Sequence, residues 1–424
     1  MGKGKSPEVK EKNIEEIAES SSSLTAAAPS NNLGHLSQEA LPVFDFQKFL
    51  LQLKTKNCEP ILRFLKSFLY QFQTKNIWTV DEQIKLIKDF EKFIYDKFVL
   101  IKQIDEDKNE YEADFAKEGF EKLIMSKLYL LVFPPAIPPK KLTTSHKEDL
   151  IQDLKLAENL VKFQWLEPRH LDLPESLMLS NSSFIKLSCI EINKLNNYKS
   201  PRDKIICVLN CCKVIFGLIR QSQHKNKVEE NADSFIPLLI YVIIKAKPKN
   251  LISNINYIER FRNEKFLTGE ISYYLSSLQI VSNFVINIER KLLTIDEEEF
   301  ERHIIEYEEK SKKEKEKRQE EQEQKQKHDL DHDQETKSNQ EQNSSNGIFA
   351  PFPQQLTSLM VGNKNSNRLN EQSPSQLLAN SAKETIDNLL AMFPEMARDI
   401  VRDIVIAKHC NIGDCVDVCL DLQA

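Results

Sequence analysis

Apolar side chains recur at steps of three and four residues through most of the chain from Phe44 to about 292. That spacing puts them on one face of a helix and leaves little but packed helices to build. In "PILRFLKSFLYQF" the series is Ile61, Leu65, Phe68, Leu69 and Phe72. In "TVDEQIKLIKDFEKFIYDKF", Thr79 and Glu82 stand at capping-box spacing ahead of Ile84, Ile87, Phe90, Ile94 and Phe98. "FEKLIMSKLYLLVFPP" follows, stopped by Pro134 and Pro135, and then "DLIQDLKLAENLVKFQWLEPRHL", stopped by Pro168. A second helical block runs from about 175 to 292, and its segment 203–219, "DKIICVLNCCKVIFGLI", is apolar nearly all round, which marks a central helix. Only nine glycines occur, and Asn-Gly hairpin signals between alternating strands are missing, so the fold class is all-α.

The flanks read differently. Residues 1–43 form a polar Ser/Ala/Asn-rich tail that cannot bury enough apolar area to offset its ordering entropy. Residues 44–165 read as a helical bundle and 166–292 as a second, core domain. From 293 to 381 the chain is a charged segment: a solvated helix held by Glu–Lys pairs at first, a disordered spacer afterwards. Order returns at about 382 in a last module, 382–424, with helices expected at about 383–391, 398–408 and 413–422.

Charge and cysteine usage narrow the function. With 58 basic against 64 acidic residues the net charge of -6 gives no pull towards nucleic acid. The longest apolar run, Phe235–Ile244, is about half of what a bilayer-spanning helix needs, and the N-terminus has no secretory pattern, so a soluble cytoplasmic protein is expected. Met1, Gly2 and Ser6 formally fit myristoylation, although Lys3 follows the glycine directly. The eight cysteines lack paired C-x-x-C or spaced-histidine patterns, so neither a metal nor another cofactor is expected. Cys207 and Cys211 sit four apart in an apolar helical run and read as buried small hydrophobes. Phosphate-cradling loops, zinc-protease helices and nucleophile elbows are absent, and His170 reads as a helix-end structural residue.

Two places carry the remaining interest. Asp233 stands at the mouth of "FIPLLIYVII", ahead of Pro237 in a first turn. It has two compatible readings: an acid facing the positive end of a helix dipole, or a rigidly held charge aimed at a partner. In "FLTGEISYYLSSLQIVSNFVINIE", Thr268 can cap a helix with Glu270 in its first turn. Leu275, Leu278, Val281, Phe284, Val285 and Ile288 form the apolar stripe, and Tyr273 and Ser276, three apart, share a face.

Five ordered blocks, "LIMSKLYLLVF" (123–133), "SPRDKIICVLNCC" (200–212), "ADSFIPLLIYVIIKAKP" (232–248), "LISNINYIERF" (251–261) and "LTGEISYY" (267–274), resemble the guanine-nucleotide exchange domain of the vacuolar protein sorting-associated protein 9 family over 115–292. The last module resembles a CUE ubiquitin-binding domain, through Met392, Phe393 and Pro394 in "LLAMFPEM" and through Cys419 and Leu420, where that family usually has two leucines. The resemblance implies a helical bundle packed on a layered helical exchange core, then a tethered three-helix CUE domain. It implies an exchange factor without covalent chemistry, whose partners are an early endosomal Rab-family GTPase and ubiquitin or mono-ubiquitinated cargo, recruited from the cytoplasm to endosomal membranes. Asp233 matches the family's catalytic acidic finger, Pro237 its fixed proline and Tyr273 its tyrosine; Ser276 falls where a threonine often stands. A non-catalytic adaptor that binds ubiquitin and a GTPase is the alternative. A Met-Phe-Pro edge exposed beside Leu420 is expected to meet the apolar patch of ubiquitin.

Overall fold

The computed structural model describes residues 44–75, 78–105, 108–174, 177, 182–226, 234–313, 316 and 374–423, with 223–226 and 374–381 as backbone only. The tail of 1–43, Asp233 and the spacer of 317–373 lie outside the described residues. Among the described residues every regular element is a helix.

Four helices come first: α1 (Phe46–Leu53), α2 (Glu59–Thr74), α3 (Val80–Lys102) and α4 (Glu110–Val132). The capping box at the start of α3 is present. Thr79 Oγ1 accepts from the Glu82 N–H at 3.3 Å, and Glu82 Oε2 accepts from the Thr79 N–H at 2.9 Å. Ile61, Leu65, Leu69, Phe72, Ile87, Ile94 and Phe98 are buried as their spacing demands. Ile84 and Phe90 are only half-buried, Phe90 stacking on half-buried Phe68 with centroids 3.8 Å apart. Around Phe49 the packing depends on Gly119, where a Cβ would lie 2.4 Å from the phenylalanine ring.

Pro134 and Pro135 end α4, as expected, and α5 (Thr144–Lys162) follows. It stops at Lys162, well short of Pro168, which instead opens a short 3-10 turn. There buried His170 accepts from the Glu167 N–H through Nδ1 at 3.0 Å, a structural role. Assigned by sequence to the first bundle, α5 in fact packs on two later helices, α9 (Leu251–Phe261) and α10 (Gly269–Ile286). The cause is polar. Buried Asp153 accepts from the Ile252 N–H at 2.8 Å and the Ser253 N–H at 3.2 Å, capping α9 from another helix. Asn159 donates to the Val285 and Ile286 carbonyls at the end of α10.

The core is α6 (Ser182–Asn193), α7 (Pro201–Asn226), α8 (Phe235–Ala246), α9 and α10. As its composition predicts, α7 is central and touches each of the others. Its segment Pro201–Ser222 is long and apolar enough to cross a membrane, but it is 72% buried inside the protein, the mark of a core helix. Cys207, Cys211 and Cys212 are buried along it, and all eight cysteines are free thiols. Near its start Lys204 is fully buried, donating to the Leu195 carbonyl at 2.8 Å and Asn254 Oδ1 at 2.7 Å. Its ammonium also faces the rings of Phe133, Tyr129 and Tyr257 at 4.8, 5.3 and 5.8 Å.

A buried charge cluster fastens the first helices to this core. Arg262, just after α9, is 0% exposed and donates to Glu118 at 2.6 Å from both terminal nitrogens, and to both oxygens of Glu121 at 2.9 and 3.0 Å. Glu121 also accepts from the backbone N–H groups of Asn263 and Arg202. Lys265 pairs with Asp114 and Glu110, and Lys88 with Glu264, around the same turn.

The charged segment is helical over 297–313, named α11, but its first turns are not merely solvated. His303 stacks on Trp165 with centroids 4.2 Å apart, Phe300 meets the same indole at 6.1 Å, and Glu299 pairs with Arg169. The last module consists of α12 (Pro374–Met392), α13 (Arg398–Ala407) and α14 (Ile412–Asp421), close to the expected spans except that α12 begins earlier. Residues Phe46–Ala424 make one compact unit.

Candidate functional site

The start of α8 meets the start of α10 in an aromatic corner. Phe235, the first residue of α8, is fully buried and stacks on Phe216 of α7 with centroids 4.4 Å apart. Tyr273 and Tyr274 of α10 each lie 5.8 Å from the same ring. The two tyrosines divide the labour. Tyr274 is buried and donates from its hydroxyl to Glu270 Oε1 at 2.7 Å, whereas Tyr273 is 40% exposed. Partial burial pushes the Tyr273 phenol above its ordinary pKa, so it stays a neutral hydrogen-bonding group at physiological pH.

Pro237 is the third residue of α8 and half-buried, where its missing N–H is one of the donors a helix start leaves unpaired anyway. Ser234 precedes the helix without a side-chain cap bond. Ser276 is half-buried one turn on from Tyr273. The structure therefore brings Tyr273 against the first turn of α8, two residues beyond Asp233 in the chain, with Ser276 on the next turn. Asp233 itself lies outside the described residues.

Two details correct the sequence reading of α10. Thr268 occupies the N-cap position but makes no side-chain cap bond. Phe284 is half-buried, while Leu275, Leu278, Val281, Val285 and Ile288 are buried. The anchoring ring of Phe235 and its stack on Phe216 were missed by sequence reasoning; the only signal was that Phe235 opens the apolar run.

The second candidate surface departs further from expectation. Met392, Phe393 and Leu420 are 3%, 0% and 4% exposed, and Cys419 is fully buried; of the five residues only Pro394 is exposed. For Phe393 and Leu420 the physical reason is that the last module sits on α6 and α7. Phe393 meets Phe184 edge-on with centroids 5.8 Å apart, and Ser183 Oγ donates to the Ala391 carbonyl at 3.1 Å. Val416 and Leu420 lie against Gly217 of α7, so close that a Cβ there would be 2.7 Å from Val416 Cγ1. Lys213 donates to Asp414 at 2.7 Å and lies 3.9 Å from Asp417, while Arg220 pairs with Asp417 and lies 3.8 Å from Asp421. No group of side chains suited to a metal ion occurs among the described residues.

Comparison with known proteins was decisive for the core. Residues 185–290 match the vacuolar sorting protein 9 (VPS9) domain. The chain thus carries a VPS9 domain. Residues 63–129, spanning α2 to α4, match a domain of unknown function (DUF5601). Vacuolar protein sorting-associated protein vps901 of Schizosaccharomyces pombe is 45% identical over 267 residues, 62% of this chain and 45% of that one. Vacuolar protein sorting-associated protein 9A of Arabidopsis thaliana is 39% identical over 198 residues, 46% of this chain and 36% of that one. The Rab5 GDP/GTP exchange factor of Mus musculus is 29% identical over 262 residues, 61% of this chain and 50% of that one. The chain thus spans half or less of the length of these relatives. The VPS9 match begins at Ile185 in α6 and ends at Arg290, just past α10, so it encloses the aromatic corner, Pro237, Tyr273, Ser276 and Asp233.

Proposed function

We propose that this chain is a guanine-nucleotide exchange factor that promotes GDP release from an endosomal Rab-five-type GTPase. The observation that carries the reading is the corner itself: inside a VPS9 domain, a half-exposed Tyr273 is braced by Phe235 at the helix start that follows Asp233. A GTPase holds GDP through a P-loop lysine and a metal ion. An exchange factor makes and breaks no covalent bond; it makes the nucleotide-free GTPase comparatively stable.

Asp233 acts as the finger. A carboxylate replaces phosphate oxygens as the partner of the P-loop lysine, and its charge repels the bound nucleotide's β-phosphate. Accelerating release a thousandfold needs about 4 kcal/mol of barrier reduction, within reach of one well-aimed charge plus disturbed metal coordination. Tyr273 and Ser276 hold the opened switch segment, and the half-buried surface at Pro237 takes apolar side chains of the GTPase.

The last module is a CUE-type ubiquitin-binding domain in this reading, with Met392, Phe393, Pro394, Cys419 and Leu420 as its contact set. Ubiquitin or mono-ubiquitinated cargo then recruits the cytoplasmic protein to endosomal membranes. Two leucines in place of Cys419-Leu420 would bury more apolar area, so this version binds weakly.

Release of mant-labelled GDP from a panel of purified Rab proteins tests the exchange reading. Asp233→Ala, shown to be folded by circular dichroism, is expected to retain weak GTPase binding and lose nearly all acceleration, and Tyr273→Ala to lose much of it. Acceleration undiminished in folded Asp233→Ala removes the finger mechanism and leaves the alternative, a non-catalytic adaptor.

A further inference from the structure

Two of the residues assigned to ubiquitin in the proposed function, Phe393 and Leu420, are covered by α6 and α7. Phe393 is spent on Phe184, and Leu420 and Val416 on the bare backbone at Gly217. An acidic edge of α14, made by Asp414, Asp417 and Asp421, lies along a basic edge of α7, made by Lys213 and Arg220. This is not the bland packing of a terminal helix: apolar seats and ion pairs are aligned along the same two helices. The sign also fits only one way round, since α14 offers three aspartates to the two cations of α7.

We propose that the docked module and the ubiquitin-bound module are mutually exclusive states, with the Lys213/Arg220 to Asp414/Asp417/Asp421 ion pairs acting as a latch that masks the ubiquitin face. The proposal rests on the reading of the module as ubiquitin-binding and adds the regulation of that site. Its physics is competition. The apolar area of Phe393 and Leu420 can be buried against α6 and α7 or against a partner, not both, so a partner must displace the intramolecular contact before it binds. The ion pairs are 22% to 32% exposed for Lys213, Arg220, Asp414 and Asp417, which makes the latch sensitive to salt and to charge reversal. Asp417 also lies near enough to Tyr274 to contribute to the upward shift of that phenol, so the latched module stands beside the aromatic corner.

The test uses the full-length chain with purified ubiquitin as the probe. Carbodiimide joins touching amines and carboxylates, and peptide mass spectrometry is expected to find Lys213 joined to Asp414 in the wild type. The bond should fade as ubiquitin reaches saturation. Lys213→Glu with Arg220→Glu should tighten ubiquitin binding on the order of tenfold, the yield of two partly exposed pairs turned repulsive. Adding Asp414→Lys and Asp417→Lys to that variant should restore the weaker binding. Gly217→Ala, which favours the helix but strikes Val416, should open the latch with no change of charge.

Equal ubiquitin affinity across the wild type, the charge-reversed variant and Gly217→Ala overturns the latch. A Lys213–Asp414 bond that persists at ubiquitin saturation overturns the exclusivity. No ubiquitin binding even by the opened variants, with the cross-link present in the wild type, removes the ubiquitin reading and this inference with it, while leaving the docking itself standing.

Discussion

Lys204 shows how much a single side chain can reveal. Burial pushes its ammonium down to about 7, while three ring faces and two acceptor oxygens act in the opposite direction. Between pH 7 and roughly 10 the unfolded chain keeps this proton and the folded chain gives it up, so stability rises with pH across that window. Urea midpoints of the wild type compared with Lys204→Met should therefore diverge in the wild type's favour from pH 7 to pH 9. Parallel profiles would show that rings and carbonyls hold the proton after all. Gly119 is the second residue with a sharp forecast. Gly119→Ala gains helix propensity but drives a methyl into the Phe49 ring, a net loss of about 1–3 kcal/mol by overpacking, read as a lowered thermal midpoint.

At the scale of elements, the turn after α9 is tied to α4 by Arg262, Glu118 and Glu121, all 0% to 2% exposed. Arg262→Ala strands two buried carboxylates and should cost about 3–5 kcal/mol in denaturant unfolding. Arg262→Met combined with Glu118→Gln and Glu121→Gln should recover part of that loss, because positions 118 and 121 then no longer hold buried carboxylates stripped of their guanidinium. Sequence periodicity revealed the helices themselves: Ile61, Leu65, Leu69 and Phe72 are buried at their expected spacing, and the Thr79–Glu82 box is in place. What periodicity could not reveal is who binds whom at a distance. Glu118 and Arg262 are 144 residues apart, and Asp153 caps a helix that starts about a hundred residues later. A helical pattern says which face is apolar, not which face of another helix it meets. Hence α5 was grouped with the wrong neighbours, and Phe393 and Leu420 were expected at the surface. Spacing put Tyr273 and Ser276 on one face of α10, and only the resemblance gave them a role; Phe235 went unnoticed, being one more apolar residue in an apolar run.

For the whole molecule, the Arg262 cluster and the Lys88 and Lys265 pairs join the first four helices to the VPS9 core, so heat should unfold them together. Scanning calorimetry of the full-length chain is expected to show α1–α4 and α6–α10 melting in one transition, which Arg262→Ala splits into two; separate transitions in the wild type would contradict that coupling. At this scale α7 is gripped from both directions, its first turn by α4 through Arg202 and Glu121 and its later turns by α14 at Gly217. A shortened version of this protein that stops before Pro374 keeps the beam but strips off its cladding. The seat at Gly217 and the ring of Phe184 would then be wetted, and such a fragment should stick to its own copies more readily than its parent does.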